Sequence, residues 1–169
     1  MENRSHVGEV HELIQVLGLK PHPEGGFFRE VYRSEAAHAD KMSPVGIRSV
    51  CSHIYYLLTR GTKAKFHVLD SDELFHHYMG GPMTLIELQR NKPPVIVRLG
   101  QDYRNGEKIC HIIRAGTWFG AAVNSVHEYS LVGCTVSPAF VWEGFKAAER
   151  KRLLDLFPQS SVLIEDYYS

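Results

Sequence analysis

Ten histidines stand among the 169 residues, and histidine is both a common metal ligand and an acid/base near neutral pH. The densest chemistry lies between Gly61 and Gly80. His67 is separated from Glu73 by the acidic turn Asp70-Ser71-Asp72, and His76 and His77 follow closely. A histidine and a carboxyl group on neighbouring strands can exchange protons with a ligand. With a second histidine they form a two-histidine, one-carboxylate set that suits several divalent ions. Alternate residues of a strand share a face, so Glu73, Phe75 and His77 point one way and Leu74, His76 and Tyr78 the other. A bulge near Gly80-Gly81 would reverse that parity and place His76 beside Glu73.

Strands must position these groups, and the sequence is rich in them. Short β-type segments run over Phe27–Arg33, Ser49–Thr59, Lys65–Leu69, Glu73–Met79, Met83–Gln89, Val95–Leu99, Lys108–Ile113, Thr117–Val123 and Tyr129–Val136, with a loop expected over Ala36–Met42. Glycine, proline, aspartate and asparagine break them, Asn124 among these, at roughly ten-residue spacing, which indicates an all-β sandwich or barrel. Before them Val7, Val10, Leu13, Ile14 and Leu17 draw one apolar stripe on a helix over about 6–17, with Ser5 as its expected cap. After them an amphipathic helix is expected over about 145–157, closed by Pro158. The length suits one domain, 1–169, with the barrel at about 26–142.

Composition narrows the partners. Nineteen basic and nineteen acidic residues cancel, so no single-sign field draws nucleic acid or an anionic membrane, and neither is expected as a partner. The three scattered cysteines, Cys51, Cys110 and Cys134, suit buried thiols in a reduced cytoplasm.

Gly61, His67, Glu73 and Gly80 fit the spacing G-x5-H-x-H-x(3,4)-E-x6-G, except that Leu69 replaces the second histidine. In the matching second half, Gly116 is kept while Phe119 stands where a histidine is expected. With the phrases His22–Ser34, Phe66–Glu73 and Tyr129–Val136, the chain resembles the cupin superfamily, and within it a family of uncharacterised function sometimes called the fifth cupin family. The resemblance implies a cupin-type double-stranded β-helix (jelly roll) with an N-terminal and a C-terminal α-helix, usually a homodimer. A cupin metal normally takes three histidines and a glutamate, so the loss of two histidines leaves no cofactor expected. A divalent ion, if held, falls to His67, Glu73 and His76 or His77.

The first function expected is binding of a small polar or sugar-like molecule in the barrel mouth, at His67, Glu73, Phe75, His76, Tyr55, Trp118, Phe28 and Glu30. Trp118 and Phe119 also suit simple core filling. One alternative is a metal-independent epimerase or isomerase of a keto-sugar nucleotide. Residues 26–32 are similar to the G-x-F-x-E-x-Y stretch of sugar-nucleotide 3,5-epimerases, which places Phe28, Glu30 and Tyr32 on one face. His67 would then be the base and Tyr55 or Tyr78 the acid, but no acidic partner for His67 can be placed from the sequence. Two further alternatives are a metal-dependent oxygenase or isomerase with a degenerate His/Glu site, and a non-catalytic structural or storage cupin.

Overall fold

Alternating apolar and polar residues, broken by turn formers, fold into two facing antiparallel sheets. The computed structural model describes residues 6–40, 45–123 and 126–168. Ser5, the end of the expected 36–42 loop and the break at Asn124 lie outside the described residues. Helix α1 (His6–Val16) leads into β1 (Lys20–Pro21), β2 (Phe27–Arg33), β3 (Ala37–Ala39), β4 (Ile47–Ser49), β5 (Ser52–Thr59), β6 (Lys63–Leu69) and β7 (Asp72–Gly80). There follow β8 (Met83–Leu88), β9 (Val95–Leu99), β10 (Cys110–Ile113), β11 (Trp118–Val123), β12 (Tyr129–Ser137), β13 (Phe145–Ala147), α2 (Arg150–Leu156) and α3 (Ser161–Tyr168). One sheet has the order β1-β2-β5-β12-β7-β10 and the other β13-β6-β11-β8-β9, with β3 and β4 as a separate hairpin. This is the expected all-β jelly roll.

The strand alternation sorts side chains into three layers. Inside, Leu58, Phe75, Met83, Leu85, Leu99, Ile113, Phe119 and Val132 form the core between the sheets. Outside the five-stranded sheet, Phe66, Ile86, Leu88 and Trp118 pack beneath Leu153, Phe157, Ile164 and Tyr167 of the C-terminal helical region. Outside the other sheet, Leu57, Tyr129 and Leu131 receive Val10, Leu13 and Ile14 of α1. Adjacent residues therefore serve opposite layers, as Trp118 and Phe119 do.

Several local expectations change. The 36–42 loop begins with β3, which pairs with β4. The expected C-terminal helix begins instead as β13, because Phe145, Lys146 and Ala147 extend the sheet against Leu69, Val68 and His67. Helix α2 ends at Leu156, just before Pro158, as expected, but a further helix follows that proline. Pro158 opens a short turn that leads into α3, whose Tyr167 hydroxyl lies 2.6 Å from the carbonyls of both Ala64 and Ala121. Of the thiols, Cys134 is buried, Cys51 half-buried and Cys110 exposed. No described helix is long and apolar enough to cross a membrane.

Candidate functional site

A cavity of about 210 Å³ opens between the sheets at one end of the barrel. Its walls come from both sheets: Phe28 and Glu30 of β2, Ile54 and Tyr56 of β5, His67 and Leu69 of β6, Glu73 and Phe75 of β7, Phe119 of β11 and Cys134 of β12. The connection after β12 adds Phe140 and Trp142, and β13 adds Phe145; their rings meet edge-on with centroids 4.9–6.2 Å apart. Arg33 sits in the wall already engaged, its guanidinium donating to both carboxylate oxygens of Glu30 and to the Phe140 carbonyl.

His67 is placed by an irregularity in its own strand. Phe119 pairs with His67 and Ala121 with Ala64, so β6 has one residue more than β11 across that interval. His67 Nδ1 lies 2.8 Å from the Lys65 carbonyl and 3.0 Å from Glu24 Oε2. A carbonyl only accepts, so Nδ1 carries the hydrogen and Nε2 holds the lone pair. The imidazole packs 4.1 Å from the Phe119 ring. Burial at 7% exposure pushes its pKa down to about 4, so the ring is a neutral base at physiological pH.

Glu24 was not among the residues the sequence singled out, and it is the acidic partner of His67. It sits in the turn between β1 and β2, where His22 N–H donates to the Gly26 carbonyl and Gly25 N–H to the His22 carbonyl. The Lys65 N–H donates to the Glu24 carbonyl, fastening the turn to β6. Gly25 and Gly26 both adopt positive φ, +114° and +72°, and pass close to the backbones of β6 and β5. Only glycine permits that approach, and the approach carries Glu24 under the barrel lip. Glu24 is 5% exposed, and burial, reinforced by Glu73, lifts its carboxyl to about 9. Burial lifts Glu73 to about 7, opposed by a hydrogen bond from the Cys134 thiol. Glu24 Oε1 and Glu73 Oε2 are buried with no hydrogen-bond partner among the described residues.

Of the residues the sequence nominated, His67, Glu73, Phe75, Phe28 and Glu30 line this cavity. Three do not. His76 lies on the outer face of its sheet, because the bulge in β7 falls at Tyr78, beyond both histidines, and the parity of Glu73 and Phe75 therefore holds. There His76 Nε2 approaches the Thr135 hydroxyl, which also meets His53, while Tyr78 meets His53 in turn. Tyr55 stacks edge-on against Tyr78 on that same outer face, and its neighbour Tyr56 takes the inward position. Trp118 is core, with Arg152 over its ring at 5.7 Å. Tyr32 also departs from expectation: a bulge between Glu30 and Tyr32 turns Tyr32 outward and Arg33 into the wall.

A cupin metal does not fit these residues. Leu69 and Phe119, at two of the histidine positions, are apolar walls of the cavity. His76 faces away, and His77 Nε2 is turned to the Gly81 carbonyl at 3.1 Å. Among the described residues no three His, Cys, Asp or Glu side chains are grouped to hold an ion.

The sequence matches the family described as Cupin superfamily (DUF985) over residues 11–148. The chain belongs to the cupin superfamily. Among solved structures, this cupin is similar to a protein from Shewanella oneidensis, with 33% identity and a TM-score of 0.82, covering 98% of this chain and 96% of that one. A hypothetical protein from Leishmania major shares 28% identity at a TM-score of 0.83, covering 92% and 96%. A cupin 2 domain-containing protein from Halorhodospira halophila shares the fold at 10% identity and a TM-score of 0.56, covering 87% and 85%. No curated protein matches the sequence.

Proposed function

We propose that this cupin binds a small polar organic molecule in the barrel cavity. The observation that carries the reading is the pair of buried carboxyl oxygens, Glu24 Oε1 and Glu73 Oε2, without partners among the described residues in a chamber lined largely by apolar and aromatic side chains. Leaving a buried polar atom unsatisfied costs about 1–3 kcal/mol. A purely structural cupin would be more stable with apolar side chains there, whereas a ligand that completes both bonds accounts for their presence. The chamber's 210 Å³ equals about seven liquid waters, at about 30 Å³ each. That suits a ligand no larger than a monosaccharide inside the chamber, with anything longer trailing past Trp142.

A thermal-shift screen of small polar metabolites tests this directly. A true ligand at a hundred times its dissociation constant adds about 2.7 kcal/mol of stability. A complete set of monosaccharides, polyols, amino acids, amines and small acids that shifts nothing would count decisively against the reading.

Metal-independent proton transfer is a second reading, favoured by the His67–Glu24 contact. With Nδ1–H engaged, His67 Nε2 is free to take a proton from a carbon beside a carbonyl group. Glu24, held in its acid form by burial, is the neighbouring donor for the opposite step. Ligands from the screen that carry such a proton should incorporate deuterium from solvent, and His67→Gln should slow exchange by at least about a hundredfold. Equal exchange in the variant would remove His67 as the base.

A further inference from the structure

We infer that the chamber's ligand carries an amino group, which enters as an ammonium ion between Glu24 and Glu73 and against the aromatic wall. The inference rests on the cavity being a ligand site and names the chemistry of what it takes.

Left empty, the chamber keeps one donor in the Glu24 carboxyl O–H; once both acids are ionised beside a bound cation, its unfilled hydrogen-bonding capacity is almost entirely acceptor. Glu24 Oε1 and Glu73 Oε2 have no partner among the described residues, and His67 Nε2 bears a lone pair. Most of the donors are already used. The Tyr56 hydroxyl donates to the Gly25 carbonyl, His67 Nδ1 to the Lys65 carbonyl, and the Cys134 thiol to Glu73. Arg33, the guanidinium in the wall, is committed to Glu30 and the Phe140 carbonyl. His22 keeps one N–H, because its Nδ1 accepts from the Glu24 amide.

A polyol needs donors and acceptors together at every hydroxyl, and an anion needs donors or a free cation. An ammonium needs only acceptors, and it gains further from ring faces. Phe75, Phe119, Phe140, Trp142 and Phe145 supply such rings in the wall of the chamber that the two carboxyl groups also line. An ammonium between the two acids must displace the Glu24 proton, and Glu73 ionises near pH 7, so its affinity should rise with pH. Around Glu24 the titratable neighbours are His22, Tyr56, Lys65, His67, Tyr167 and Tyr168. Around Glu73 they are Glu24, Tyr56 and Cys134. Both histidines named are held neutral by burial, and burial raises the tyrosines and the Cys134 thiol above their ordinary values, so the two acids carry the pH dependence.

Benzylamine, benzyl alcohol and benzoate present one ring with positive, neutral and negative ends. Calorimetric titration at pH 8 should show benzylamine binding on the order of tenfold or more above benzyl alcohol, with benzoate below both. The preference should shrink at pH 6, and proton release should appear as a buffer-dependent heat. Glu73→Gln, an isosteric change whose folding is checked by its unfolding midpoint, should abolish the amine preference and keep the alcohol; Glu24→Gln should weaken the preference. If benzyl alcohol or benzoate binds as tightly as the amine, the cavity is a ligand site and the amine inference is overturned. Binding of none of the three also overturns it, and the wider metabolite screen then decides whether the cavity binds anything.

Discussion

Replacing Glu24 with glutamine is expected to stabilise the folded chain at pH 8, although it removes a buried group that touches His67. Glu24 has a pKa near 9 in the fold against 4.5 in an exposed chain. Below pH 4.5 both states hold the proton and the group is neutral in its effect. As pH rises from 4.5 toward 9 the unfolded chain releases its proton while the folded chain keeps it, so the fold is progressively penalised. Each unit is worth about 1.4 kcal/mol, which sets a ceiling of about 5 kcal/mol at pH 8. Glutamine keeps an oxygen to accept from His67 Nδ1 but buries a new amide, so a net gain of about 2 kcal/mol is the expectation. In a chain of this size that is about 4–8 °C in unfolding midpoint. Thermal unfolding at pH 4 and pH 8 reads it: the gain should be present at pH 8 and absent at pH 4. A loss at pH 8 would mean that Glu24 is ionised in the fold and forms a charged pair with His67.

Gly26→Ala should have the larger structural effect. At φ +72° an alanine Cβ would meet the Leu57 carbonyl oxygen and lie 2.8 Å from Leu58 Cδ2. The neighbouring strand is central to its sheet and cannot give way, so about 3 kcal/mol or more of destabilisation is expected. Gly46 separates the two sources of strain. It has nearly the same φ, +74°, with nothing within 4 Å of its Cβ position, so Gly46→Ala should cost only the backbone term, about 1–2 kcal/mol. Denaturant unfolding of both variants should show that ordering. Equal losses would mean that the 22–26 turn is free to move and does not hold Glu24 rigidly beneath His67.

Both predictions concern a turn whose importance the sequence did not reveal. The Gly61–Gly80 spacing placed β6, its turn, β7, His67 and Glu73, because strand parity and one tight turn leave little freedom between them. The sequence leaves His76 against His77 open, and only the position of the bulge, at Tyr78, decides it. Glu24 was illegible for a physical reason. It lies outside any strand, far upstream of His67, and a carboxylate between proline and glycine reads as a solvated turn residue. Only its docking on β6 through Lys65 makes it part of the barrel. Tyr55 and Tyr56 could not be told apart because β5 is aromatic on both faces, and the β2 bulge that exchanges Tyr32 for Arg33 leaves no trace in residue pattern. The missed α3 had a signal: Leu163, Ile164 and Tyr167 recur at helical spacing beyond Pro158.

A ligand of this cupin is expected in the chamber bounded by Glu24, His67 and Glu73. A crystal structure with the strongest stabiliser from the thermal-shift screen tests it most directly. The ligand should lie between the sheets, within hydrogen-bonding distance of at least one of the two unpartnered carboxyl oxygens. Density instead on the outer His53–His76 face, with the chamber holding only water, would contradict it.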